Sequence, residues 1–377
     1  MTDLKANLAI FRWPQLKLAP RTERYDLLDG MRGIASIIVL WLHIVCVCRI
    51  YVIPRHAFLA VDFFFCLSGF VIAHAYMSRP HEHRQVWPFL RRRAARLMPL
   101  AIFGALIGGC FLLLRSFVIG DVSPSAAIAA TLLNAMLLPT GPLLPMYSEA
   151  FGVDPPLWSL LQEMLVSIAF ALGLVRLRKM GLLSLICVAA YISAEVAHAA
   201  QSLDFGGMQV GVWCGWIRVL YPFACGVLIQ RLPIIANRHG YLALPILAGL
   251  LLLPLHAVDI QLVSVFILFP LIVYIGAGTQ INPCLARMCR VLGAISYPVY
   301  VVNYPVIRFV AMISDRWGIQ SPALIATVAA LSSLAVAIVA MRLVEPLIRD
   351  WLFSPNTIVP PHRKPQKTTE TVHLAAP

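Results

Sequence analysis

Arg32 and His43 are eleven residues apart in the stretch YDLLDGMRGIASIIVLWLH at 25–43. At 100° per residue, eleven steps come within about 20° of three whole turns, so a helix puts both side chains on one face. They are then about 16 Å apart along the axis. Asp29 precedes Arg32 by three residues, near enough to pair with it. A histidine deep in an apolar run is costly and is spent either on function or on bonding a neighbouring helix. A neutral imidazole there can serve as a general base or a nucleophile.

Further groups have the right chemistry. Arg92, Arg93 and Arg96 fall at helical spacing on one basic face. Guanidinium forks suit phosphate, and the competing use is as an anchor on anionic lipid. Glu163, Asp62 and Asn303 each interrupt an apolar run. Counting along the runs puts all three near the depth of His43, where they could bind an acceptor. Ser68 in FCLSGF has no base near it in sequence and is expected to pack, with Gly69, at a helix contact. Arg115, Arg218, Arg308 and His74 lie in or near apolar runs without an assignable role.

What must position these groups is a set of membrane helices. The 377 residues are 60% hydrophobic and 12% charged, against about 25% charged in soluble domains. The apolar runs reach the length needed to cross a bilayer core. They fall roughly at 31–51, 57–77, 97–119, 125–144, 157–175, 180–198, 208–229, 240–256, 259–278, 291–312 and 322–344. The net charge of +13 is carried by segments between them, which reads as positive-inside topology rather than nucleic-acid binding. With 125–144 excluded as a full span, ten spans place every strongly basic loop and both termini in the cytoplasm. Pro139, Pro142 and Pro145 suit that segment to a re-entrant or surface-lying element. The expected fold is therefore an all-α polytopic bundle of about ten helices. A cytoplasmic tail at 1–24 precedes a membrane domain at 25–350, and a second tail follows at 351–377. Nine cysteines, mostly inside apolar runs and with no CxxC or Cys/His ligand spacing, predict neither metal nor disulfide framework.

Several segments together resemble the acyltransferase 3 family, whose members open with Arg or Lys, ten residues, then His, as Arg32 and His43 stand here. VDFFFCLSGFVI at 61–72 is similar to its second-helix motif, and RRRAARLMP at 91–99 contains its Arg-x-x-Arg as Arg93 and Arg96. PLWSLLQEML at 156–165, LGAISYPVYVVNYP at 292–305 and Glu345-Pro346 follow in the family's order. The resemblance covers roughly residues 25–350 and implies a bacterial inner-membrane enzyme. It implies acyl transfer from acyl-CoA, with acetyl-CoA the expected donor, to a hydroxyl of a cell-surface or exported carbohydrate. On it, His43, Arg32 and Glu163 are the expected catalytic residues, and Arg93 and Arg96 hold the CoA phosphates. Glu163, Asn303 and Asp62 are the expected acceptor contacts. Family members often have His at the place of Asn303, which cannot titrate. The competing class is a proton-coupled transporter using the same intramembrane groups. Such a carrier more often shows paired repeats, and none is evident in this chain.

Overall fold

The computed structural model describes residues 24–50, 54, 56–78, 85–254 and 257–353, the side chain of Val210 excepted. The N-terminal tail up to residue 23, Arg79 and Arg84 of the basic segment, and the C-terminal tail beyond Phe353 lie outside the described residues. The helices are α1 (Asp26–Val47), α2 (Ala60–Met77), α3 (Val86–Val118), α4 (Pro124–Ala135), α5 (Leu157–Leu172), α6 (Lys179–Ala200) and α7 (Gly215–Gln230). After these come α8 (Ala243–Leu252), α9 (Val258–Ala277), α10 (Pro283–Arg316) and α11 (Pro322–Phe353). The last of them continues through a π-turn at Ala340–Val344, and α9 contains another at Ser264–Leu268.

Among the described residues, eight helices are long and apolar enough to cross a membrane. Leu157–Leu172 and Gly240–Leu252, two of the ten expected spans, form shorter apolar helices. The 125–144 run forms a helix of only 12 residues, α4. That is about 18 Å at 1.5 Å per residue, short of the ~30 Å hydrocarbon thickness. Ser123 caps α4 by accepting from the Ala126 N–H, and Leu137, in the left-handed region at φ 56°, turns the chain away after it. The molecule is thus an integral, multi-pass helix bundle.

One expectation about boundaries needs correction. The apolar run at 97–119 is only the later part of α3, which starts at Val86. Arg91, Arg92, Arg93 and Arg96 therefore sit on a continuous helix, and Arg93 is carried inside the bundle at 9% exposure. Leu97, Leu100 and Ala101 on the same helix are likewise buried in the bundle.

The helices approach closely because small residues meet backbone at the crossings, the usual device where lipid removes the hydrophobic drive for association. Between α2 and α7, a Cβ on Gly69 would lie 2.1 Å from the Phe223 carbonyl oxygen, and one on Gly226 would lie 2.0 Å from that of Cys66. Between α1 and α10, Gly30 faces Cys289, Gly33 faces Leu292, and Gly293 faces Asp29. Among the described residues the α1–α10 pair is the most extensive helix contact, and it carries both Arg32 and His43.

Candidate functional site

Arg32 and His43 do share a face of α1, and that face lies against α10. The Arg32 guanidinium donates to Ser296 Oγ at 2.8 Å and to the Gly293 carbonyl at 2.7 Å, and it pairs with Asp29 at 3.3 Å. Ser296 in turn donates to the Gly293 carbonyl. Eleven residues further along α1, His43 Nδ1 is 2.5 Å from Asn303 Oδ1. The Tyr304 ring meets the His43 ring edge-on at 5.1 Å between centroids. The α1–α10 pair thus holds Arg32 and His43 on one face, at positions about 16 Å apart along the axis of α1.

At the Arg32 end a cavity of ≈ 100 Å³ opens between α1, α2, α3, α5 and α10. Its polar wall consists of Arg32, Arg93, Arg96, Ser68, Glu163 and Ser296, with Tyr297, Tyr300 and Ser159 beyond them. It adjoins a wider vestibule of ≈ 550 Å³ lined by Arg24, Tyr25, Asp29, His74 and Ser78, with Arg32 and Arg96 common to both. A third recess, beside Tyr76, Phe89 and Arg92, shares Arg93 and Arg96 with the first. Arg96 lines all three and makes no ion pair among the described residues. Glu163 pairs with Arg93 and Asp29 with Arg32, so the net positive charge of the recess rests on Arg96, whose guanidinium suits a phosphate.

Glu163 is not where counting along the runs had put it. Its carboxylate forms an ion pair with Arg93 and accepts from Ser68 Oγ at 2.7 Å. It belongs to the arginine-lined cavity, not to the surroundings of His43. Counting along its own run gives the depth of Glu163 but not its neighbour, and α3 brings Arg93 into the bundle alongside α5. Ser68 changes reading for the same reason: no base is near it in sequence, yet folding sets it against the Glu163 carboxylate. Gly69, its neighbour, packs against α7 as expected.

Asp62 is also displaced from its expected role. Its side chain and that of Arg218 on α7 are each only 1% exposed and pair at 2.8 Å. Arg218 also donates to the Phe58 and Phe205 carbonyls, both at 3.1 Å, and stacks near Trp158. Asp62 does not line the cavity, though Val61, Phe64, Phe65 and Ser68 of the same helix do. A carboxylate enclosed this far must be met by a charge, and Arg218 meets it. The assignment as an acceptor contact gives way to a structural one.

Beyond Tyr300 the surroundings of His43 involve residues that the sequence alone left unassigned. Arg308 donates to the Gly152 carbonyl at 2.7 Å and lies over the rings of Tyr147 and Tyr304, at 4.6 and 4.8 Å. It ties the 145–156 loop to α10 beside His43. That loop is bonded in turn to the 199–209 loop through Ala150 N–H to Gly207 O and Gln209 N–H to Ser148 O, both 2.9 Å. No motif at Arg308 signals this, since its partners are backbone carbonyls more than 150 residues away. Among the described residues no cluster of His, Cys, Asp and Glu could hold a metal ion.

A relative from Rhizobium radiobacter, known as "Protein 2 in picA locus", is 34% identical over 161 residues, which is 40% of this chain and 82% of the relative. No solved structure matches. The family model described as "Acyltransferase domain" matches residues 25–342, from the start of α1 into α11. This chain, an acyltransferase, therefore belongs to the acyltransferase 3 family.

Proposed function

We propose that the protein transfers an acyl group, acetyl in the simplest case, from acyl-CoA to a hydroxyl of a cell-surface or exported carbohydrate. The observation that carries this reading is the polarity of the α1–α10 seam. It has an arginine-lined recess at one end and a single imidazole, beside exposed loops, at the other. The CoA phosphates bind at the recess through Arg96 and Arg93, with Arg24 at the vestibule rim, and the pantetheine arm runs along the seam toward His43. Arg32 lies about 16 Å from His43, whereas an oxyanion donor must stand about 3 Å from the developing charge. Arg32 therefore holds the donor's arm rather than the reacting carbonyl. Glu163 sets the position of Arg93 and serves the donor side, not the acceptor.

In the chemical step, His43 Nε2 takes the proton from the acceptor hydroxyl as the oxygen attacks the thioester carbonyl. A C–O bond forms, the C–S bond breaks, and the electron pair leaves with sulfur. The proton on His43 then passes to the CoA thiolate, so the products are the ester and CoA with the ring neutral again. In this reading the recess faces the cytoplasm of a bacterial inner membrane, where CoA is found. Residues 25–350 form the membrane domain between two cytoplasmic tails.

The test is transfer from radiolabelled acetyl-CoA into carbohydrate by membranes containing the His43→Ala protein at wild-type abundance. Transfer should fall by at least about 10²-fold, the usual worth of a general base, while acetyl-CoA binding persists. Near-normal transfer would remove His43 from the mechanism.

A further inference from the structure

We propose that Asn303 sets the tautomer of His43, fixing the proton on Nδ1 and leaving Nε2 bare to act as the base. The inference rests on the reading of His43 as the base and adds a positioning residue to it. Asn303 is completely buried on α10. Its amide nitrogen donates to the Val299 carbonyl at 2.7 Å and to the Tyr300 carbonyl at 2.9 Å. Both amide protons are thereby committed to the helix's own backbone, three and four residues back. The reverse orientation of the carboxamide would turn Oδ1 onto two carbonyl oxygens, an arrangement with no hydrogen to share.

With the amide so fixed, the atom facing His43 is Oδ1, which can only accept. A hydrogen bond of 2.5 Å between Oδ1 and Nδ1 then requires the proton to be on Nδ1. A neutral imidazole carries one ring proton, so Nε2 keeps its lone pair. The edge-on Tyr304 ring fixes the imidazole plane, and Nε2 is the ring nitrogen that Asn303 does not engage. Asn303 fills the orienting role that a carboxylate fills in a Ser-His-Asp triad, without adding a second charge inside the membrane. The α-helical backbone supplies the rigidity: two carbonyls hold the amide, the amide holds the ring, and the ring presents one nitrogen.

The experiment uses the full-length protein in lipid with ¹³C,¹⁵N-labelled histidine, the His43 signals being those lost in His43→Ala. Chemical shifts distinguish a protonated from a bare ring nitrogen, and couplings to the ring carbons tell Nδ1 from Nε2. The expected neutral state has the proton on Nδ1; a proton on Nε2 would overturn the proposal whatever the activity. Asn303→Leu, which keeps the bulk but offers no acceptor, should lose this signature. Its kcat should fall about tenfold or more, part of the 10²–10⁴ a general base supplies, with KM for acetyl-CoA unchanged. Asn303→Asp puts its second oxygen against the Val299 and Tyr300 carbonyls, so its carboxyl is protonated there and donates to one of them while the other oxygen still accepts from His43; it should retain the Nδ1–H signature and most of the rate. Unaltered kcat in a folded Asn303→Leu protein also refutes the idea. If Leu does not fold, the wild-type and Asp spectra still decide. Normal transfer by His43→Ala alongside an Nδ1–H signature in the wild type would reject His43 as base while leaving the tautomer assignment intact.

Discussion

The pair Asp62–Arg218 offers a sharp test, because the two residues are unequally protected. Arg218 reaches both Asp62 oxygens, at 2.8 and 3.0 Å, and has further acceptors in Phe58 O, Phe205 O and, at 3.4 Å, Asp204. Among the side chains of the described residues, Asp62 bonds Arg218 alone. Removing Arg218 as Arg218→Met therefore strands a carboxylate at 1% exposure. Breaking a buried pair from one side costs about 3–5 kcal/mol, and this variant should fall at the upper end. Asp62→Leu leaves the guanidinium its carbonyls and Asp204, so it should fall at or below about 3 kcal/mol. The double variant replaces both charges by apolar bulk, which is often close to neutral. It should lose no more than about 2 kcal/mol where independent single losses would total about 8, so the coupling in the cycle is about 6 kcal/mol. Unfolding of the purified proteins in mixed micelles, titrated with sodium dodecyl sulfate, reads the four stabilities, and acyl transfer is measured on the same samples. Additive losses would refute the claim that the pair acts as a unit. A double variant that regains stability without regaining transfer would return Asp62 to the acceptor site.

Two other expectations concern the donor and the membrane. Arg96→Ala should weaken acetyl-CoA binding about ten- to a hundredfold, the worth of a charge-assisted hydrogen bond, with folding intact because Arg96 makes no ion pair among the described residues. Arg96→Lys should recover only part of this for want of the two-pronged fork; calorimetric titration measures both, and unchanged affinity would reduce the arginine to a membrane anchor. Reporter fusions to the two chain ends should both report the cytoplasm, as the basic loops require; an external C-terminus would reject the ten-span arrangement.

The sequence by itself determined the all-helical membrane class, since apolar runs of spanning length admit few other solutions. It also determined that Arg32 and His43 share a face, because that follows from 3.6 residues per turn alone. The shortness of α4 was legible in its prolines. Tertiary structure decided the rest. Counting residues gives depth along one helix but not which neighbour stands at that depth, so Glu163 was set beside His43 when it pairs with Arg93. Asp62 looked available because its partner, Arg218, is 156 residues away. Ser68 looked inert because Glu163 is 95 residues away. Asn303 could be named as polar and deep, but not as the acceptor of a histidine proton. That follows only once Val299 and Tyr300 have claimed its amide hydrogens and α1 has brought His43 to its oxygen. In the low-dielectric interior each polar group takes the partner that packing brings within 3 Å, and sequence spacing fixes such partners only within a single helix.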